Sequence, residues 1–358
     1  MKAAVFVEQD KPLSIEEVTP NAPGPRDAVV RVTASGVCHS DLSVITGGLP
    51  FPPPCILGHE GAGIVEEVGD QVTSLKKGDR VIAAFVPACG SCFYCVGGHS
   101  NLCEVGATSF TATHATRADG TPLGAMTGLG TFAEAMVVDE SALVKVETDL
   151  PDEQLALIGC GVTTGVGAAL NTARIEPGST VAVIGCGGVG QAVIQGARIA
   201  GASRIFAIDP VELKRKTAEQ LGATDLIDPA QGDPVSQVQA LTSGRGADYA
   251  FEVIGLPETI LQAYNTARRG GTVTIVGAAR MDSVVTFSAF QLFYDEKKLL
   301  GCIYGSSQVR RDFPRFIALT ETGRLDLGAM VSRRIGLDEV NDAFRAMQAG
   351  EVIRSVIV

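Results

Sequence analysis

Between Cys89 and Cys103 the chain reads CGSCFYCVGGHSNLC, four cysteines spaced C-x2-C-x2-C-x7-C. Four thiolates on one short loop suit a tetrahedral Zn2+, and because each fills one coordination position, none is left for a substrate. Such an ion crosslinks a loop and does not catalyse. Spacing alone leaves an iron–sulfur centre, a redox cluster and free thiols open. His99 lies inside the loop and reads as exposed, since four thiolates already suffice. Reactive groups must come from elsewhere. SGVCHSD offers Cys38, His39, Ser40 and Asp41; ILGHEGAG offers His59 and Glu60; LIGCGVTTG offers Cys160. A catalytic zinc takes three protein ligands and keeps one open position. Taken singly, a cysteine is more often a small buried hydrophobe, and spacing does not by itself make Cys38, His59 and Cys160 converge.

A third group handles phosphate. In VAVIGCGGVGQA, Gly185, Gly187 and Gly190 fit G-x-G-x-x-G after an apolar strand and at the start of a helix. The first glycine permits the tight turn, the second lets backbone approach a pyrophosphate, and the third lets helix pack on strand. The diphosphate then meets free N–H groups at a helix N-terminus. Asp209 ends the next strand, about 20 residues on, where a carboxylate accepts from a ribose 2′-hydroxyl and repels a 2′-phosphate, selecting NAD over NADP. Lys214, a candidate cofactor-binding residue, and Arg215 lie nearby; turned inward they would attract a 2′-phosphate and soften that selection, while their plainer reading is solvated charges on the following helix.

These residues need elements to carry them. The chain has 358 residues, enough for two domains. From Met1 to about Val146, short β-like runs (AVVRVTASGV, GAGIVEEVG, GDRVIAAFV, TFAEAMVVD) closely punctuated by Gly and Pro predict an antiparallel, barrel-like domain. From about Thr180, apolar strands (TVAVIG, SRIFAID, ADYAFEVIG, TVTIVGA) alternate with amphipathic helices and predict a parallel sheet covered on both faces. After about Gly301 the texture is mixed, ending in a helix (LDEVNDAFRAMQAG) and a strand (SVIV). Residues 107–130, rich in Gly and Thr, read as a surface loop. The net charge of −11, without a basic stripe, argues against nucleic acid. No stretch reads as the roughly 20 apolar residues of a membrane span, and the charged N-terminus lacks a signal-peptide pattern. The expected compartment is cytoplasmic, where thiols stay reduced.

With GVCHSD, GHEGAGIVEEVG, GDRVI, the four-cysteine loop, GCGVTTG, VIGCGGVG and AID in this order, the chain resembles the zinc-dependent medium-chain alcohol dehydrogenases over essentially its whole length. The resemblance implies a GroES-like catalytic domain from residues 1–162 and 301–358, a Rossmann domain from 163–300, and a substrate cleft between them. It implies two zinc ions per subunit, a catalytic one on Cys38, His59 and Cys160 and a structural one on Cys89, Cys92, Cys95 and Cys103. By the same resemblance Ser40 takes the substrate proton, Asp41 orients His59, and Glu60 stands behind the metal and helps ligands exchange. Thr164, Gly188 and Val189 fall at nicotinamide and dinucleotide contacts, His39 and Arg354 near the pyrophosphate, and Phe85 on the substrate-pocket wall.

Two departures bear on the substrate. Many relatives carry a histidine three residues beyond the relay hydroxyl; here that place is Ser43. TGGLPFPPPC lacks the acidic residue that thiol-adduct-oxidising relatives use, and only Arg117 is available as their recognition arginine. The expected activity is therefore NAD-dependent interconversion of primary, aromatic or medium-length alcohols and aldehydes. The alternatives are a thiol-dependent formaldehyde dehydrogenase and a non-catalytic nucleotide-binding protein, which would need no vacant zinc position. The resemblance also implies a homodimer or homotetramer joined through edge strands of the Rossmann sheet.

Overall fold

The computed structural model describes residues 1–106 and 113–358. They form two compact units: Met1–Cys160 with Gln308–Gly323 and Val331–Val358, and Gly161–Ser307 with Arg324–Met330.

In the first unit, strands Lys2–Phe6, Ser14–Pro20, Thr113–Arg117, Pro122–Ala125 and Cys55–Ile56 close a barrel in that order. Residues 107–130 are therefore more than a surface loop. Residues 113–117 and 122–125 are barrel strands, with Ala115 and Leu123 fully buried among Ala3, Val5 and Val18. The Gly and Thr content hid two strands whose inward positions are apolar; residues 107–112 lie outside the described residues.

A second sheet of seven strands carries the chemistry-bearing segments. Its long strand Asp27–Gly36 alternates buried and less buried residues from Asp27 to Arg31, the period of a strand with one face on a core, and is buried without a break from Ala34 to Gly36. It pairs antiparallel with Gly61–Val68, so that Ser35 faces Gly61, and with Arg354–Ile357, so that Gly36 faces Val356. This register brings three chain points together: the entry to Cys38, the exit from Glu60, and Arg354. Registers of this kind are pinned by core burial, since a slip of one residue would turn every side chain over.

In the second unit six strands, all parallel, run in the order Asp225–Ile227, Arg204–Ile208, Thr180–Ile184, Ala247–Glu252, Ala267–Ile275 and Lys298–Gly301. The central strands are buried almost throughout, which is why TVAVI and RIFAI read as unbroken apolar runs. The order reverses beside Thr180–Ile184, the place where doubly wound sheets bind ligands at their C-terminal edge. Helix Gly188–Ile199 follows that strand and lies very close to helix Thr163–Gly167. A Cβ on Gly165 would stand 2.4 Å from the Val189 carbonyl oxygen, so only glycine fits there.

One helical run, Asp152–Thr172, spans 21 residues and by length and mean hydropathy alone could cross a bilayer, although polar residues interrupt it. Its most apolar window is 78% buried within the protein, which is the pattern of a core helix. Within it, Ile158–Val162 forms a π-turn centred on Cys160.

Candidate metal and nucleotide sites

Cys38, His59, Glu60 and Cys160 are all buried, and one ligand atom from each lies within 4.8 Å of the others. Tetrahedral bonds of 2.0–2.3 Å place ligand atoms about 3.3–3.8 Å apart, so this donor set fits a zinc ion with slight contraction. Each member arrives by a different route. Cys38 caps the helix His39–Ile45; His59 and Glu60 sit between the turn at Gly58 and the strand from Gly61. Cys160 is thrown out of regular helical spacing by the π-turn, a distortion often found at functional sites.

Asp41, with no solvent exposure, holds this arrangement. Its carboxylate accepts from Cys38 N at 3.0 Å and Gly58 N at 3.2 Å, and contacts His59 Nδ1 at 3.0 Å. A proton on Nδ1 shared with Asp41 leaves Nε2 as the nitrogen for a cation. Burial disfavours the imidazolium, but Asp41 outweighs it and raises the His59 pKa. The hydrogen bond with Cys160 holds the Cys38 thiol well below its usual range, against burial and with help from His59 and Arg354. The same bond and burial push Cys160 up. Burial lifts Glu60 to about 7, with the Arg354 guanidinium opposing. Two buried sulfurs, an imidazole and a carboxyl of raised pKa converge as the donor set a divalent cation takes.

Arg354 is 4% exposed and paired with Glu60. Its guanidinium is thus committed to the metal-site carboxylate, and a pyrophosphate contact would have to draw on that pair. The spacing of the sequence gave no sign of it, because 294 residues separate the partners. Gly36 makes room for the pair: a Cβ there would stand 2.9 Å from Arg354 Nη2 and collide with the Glu60 carboxylate. Ser40 is half-buried, its hydroxyl 3.8 Å from Cys38 Sγ. Phe85 makes a T-shaped contact to the His59 ring at 5.8 Å between centroids and also packs against the core around Val30, Val65 and Leu129, so it serves both. His39 is exposed, and its carbonyl accepts from Ser43 Oγ at 3.0 Å, so Ser43 is engaged with backbone.

The four loop cysteines also meet, their sulfurs within 4.8 Å of one another. Cys89 and Cys95 are 3.9 Å apart, as are Cys92 and Cys103. Backbone N–H groups of Ser91 and Cys92 lower the Cys89 thiol to about 6, and those of Glu104 and Cys95 lower Cys92; burial raises Cys95 to about 12. N–H groups aimed at sulfur offset the negative charge that four thiolates carry around one dication. His99 is exposed and stands outside this set.

In the second unit, Gly185 has φ +93 and starts the turn. A Cβ on Gly190 would lie 1.9 Å from the Gly185 carbonyl oxygen, whereas one on Gly187 would meet nothing within 4 Å. The open side at Gly187, followed by Gly188 and Val189 at the helix start, is a cradle that fits a diphosphate. Asp209 is buried, accepting from Cys186 N and Val211 N, each at 2.8 Å. Its remaining lone pairs suit a ribose hydroxyl. Gln191, missed in the sequence, donates to the carbonyls of Cys186 and Lys214 at 2.8 Å each and so ties the glycine turn to the helix after Asp209. Arg215 is not a solvated charge: it turns inward, donating to Asp209 O at 2.6 Å and to Asp228 at 2.9 Å. Lys214 and Thr164 are half-buried.

Residues 24–148 match the alcohol dehydrogenase GroES-like domain, and residues 188–322 the zinc-binding dehydrogenase domain. The chain is 39% identical to a putative alcohol dehydrogenase D of Mycobacterium tuberculosis, covering 99% of each chain. It is 41% identical to an S-(hydroxymethyl)glutathione dehydrogenase of Synechocystis, again over 99% of each. The benzyl alcohol dehydrogenase of Acinetobacter calcoaceticus superposes with a TM-score of 0.92 at 31% identity, over 99% of this chain and 98% of that one. A putative zinc-binding dehydrogenase of Sinorhizobium meliloti bound to NADP does so at 0.83 and 30% identity, over 100% and 98%.

Asp41→Asn keeps the shape but loses the charge that fixes His59. Zinc affinity at the Cys38 cluster is expected to fall about 10- to 100-fold, read by competition with a chromophoric chelator. Unchanged affinity would show that the carboxylate does not support the ligand.

Proposed function

The chain belongs to the zinc-dependent medium-chain alcohol dehydrogenases, and on that premise we propose that it interconverts primary alcohols and their aldehydes with NAD, holding one zinc ion at each cysteine-bearing cluster. The observation that carries this reading is the convergence of Cys38, His59 and Cys160 beside the Ser40 hydroxyl. We assign catalysis to the unit that contains this cluster and nucleotide binding to the unit that contains the glycine turn.

Zinc held there supplies Lewis acidity, lowering the pKa of an alcohol O–H or polarising a carbonyl. The nicotinamide supplies a hydride acceptor. The rest falls to the chain's own side chains. Ser40 Oγ takes the alcohol proton and hands it on; with Ser43 bonded to the His39 carbonyl, water completes its exit. Asp41 fixes the tautomer of His59. Glu60 lies beside Cys38, His59 and Cys160, where its carboxylate would be able to serve a bound zinc as a further ligand, and Arg354 restrains it. Phe85 offers an apolar edge that favours aromatic or medium-length substrates. Gly185, Gly187, Gly188, Val189 and Gly190 hold the diphosphate, Asp209 the ribose, and Thr164 the nicotinamide end.

A second reading, thiol-dependent formaldehyde oxidation, draws support from the Synechocystis relative's name. Against it, Arg117 is paired bidentately with Glu16 at 2.8 Å across neighbouring barrel strands, a structural use of the one available recognition arginine. We also place a second subunit along the edge strand Lys298–Gly301, where Leu299 is 40% exposed and Phe290 and Phe293 on the preceding helix are 69% and 76% exposed.

A panel of alcohols and aldehydes with both nucleotides, and formaldehyde with and without glutathione, tests the activity. Strict thiol dependence would sink the leading reading. Ser40→Ala is expected to lower kcat by about 100-fold or more while zinc content and NADH binding stay unchanged; full turnover would remove the relay. Asp209→Gly should shift the NAD/NADP ratio of kcat/KM towards NADP, and no shift would mean other groups read the ribose. Leu299→Lys should yield a smaller species by analytical ultracentrifugation, and an unaltered sedimentation coefficient would rule that edge out.

A further inference from the structure

We infer that the buried hydroxyl pair of Ser35 and Thr131 is a positioning device that sets the separation of Cys38 from His59. This rests on the zinc reading of the Cys38 cluster.

Ser35 and Thr131 are 0% and 1% exposed, with hydroxyl oxygens 2.7 Å apart. Neither is a metal ligand. Thr131 is gripped by the two glycines that bracket His59 and Glu60: a Cβ on Gly58 would lie 2.5 Å from Thr131 Oγ1, and one on Gly61 would lie 2.7 Å from Thr131 Cγ2. The Thr131 N–H donates to Gly58 O at 3.0 Å, and the next residue, Phe132, donates to Leu57 O at 2.9 Å. Side chain and backbone therefore hold the same turn.

Ser35 stands on the other partner. It belongs to strand Asp27–Gly36, which leads directly into Cys38, and it faces Gly61 in register. The following Gly36 N donates to Glu60 O at 2.9 Å. The hydroxyl pair thus links the strand that delivers one metal ligand to the turn that delivers another.

Packing alone does not call for this chemistry. An alanine and a valine would nearly fill the same space without two hydroxyls to desolvate. What the polar pair adds is a fixed length and direction, where apolar contacts permit sliding. A tetrahedral ion tolerates little drift in its donors, so the gain appears at the metal.

The test uses full-length protein with Co2+ exchanged into the Cys38 cluster, comparing wild type, Thr131→Val and the double variant Ser35→Ala/Thr131→Val. The single variant strands the Ser35 hydroxyl and should melt at a lower temperature; the double removes both polar atoms and should recover most of that loss. Both variants are expected to show shifted cobalt d–d bands and to release zinc to a chelator roughly tenfold faster than wild type. The defect should persist in the double variant after its melting temperature has recovered. Wild-type bands and release rate in the double variant would overturn the inference and leave the pair a stability feature. A wild-type protein that takes up no cobalt at Cys38, His59 and Cys160 would instead overturn the zinc reading beneath it.

Discussion

Two sulfurs, an imidazole, two carboxylates and a guanidinium are buried together, and their charges must balance there. Isolated buried charge is costly, so such groups survive only as pairs or around an ion. Arg354 answers Glu60, Asp41 answers His59, and Cys38 and Cys160 share a hydrogen bond that lowers the one thiol and raises the other. A dication lets both sulfurs be thiolates and restores the balance. The strand register and the close-fitting glycines around this pocket can be read as means of holding these groups where a metal could replace a proton.

The means are mostly backbone. Strand register lines up the ends of Asp27–Gly36, Gly61–Val68 and Arg354–Ile357. Backbone N–H groups of Cys38 and Gly58 fasten Asp41, and a π-turn presents Cys160. Glycines at 36, 58 and 61 are needed because side chains there would strike Glu60, Arg354, Thr131 or Phe132. The loop cluster is built on another plan: its ligands sit close in sequence, three are only partly buried, and local N–H groups stabilise the sulfurs. Four thiolates would close an ion off, which answers to crosslinking, whereas the buried cluster sets three strong ligands beside a carboxylate of raised pKa.

Much of this was legible in the sequence because the informative signals were local. The cysteine loop, the glycine turn with Asp209, and the apolar strand runs each lie within a few dozen residues, and both sheets follow the expected textures. What escaped was long-range or masked by composition. The resemblance sets Arg354 near a pyrophosphate and gives no sign of its ion pair with Glu60, which depends on strand pairings between distant parts of the chain. Strands Thr113–Arg117 and Pro122–Ala125 looked like a loop because Gly and Thr outnumber the few apolar residues that face inward. Arg215 looked solvated because nothing in a helix pattern says which way a long side chain turns.

The most direct measurement is anomalous scattering at the zinc absorption edge from crystals of the protein. The account predicts a peak bonded to Cys38 Sγ and Cys160 Sγ at about 2.3 Å and to a His59 ring nitrogen at about 2.0–2.1 Å, with a second peak among the four loop sulfurs. No anomalous density between Cys38, His59 and Cys160 in metal-replete crystals, or a Cys38–Cys160 disulfide in its place, would contradict it.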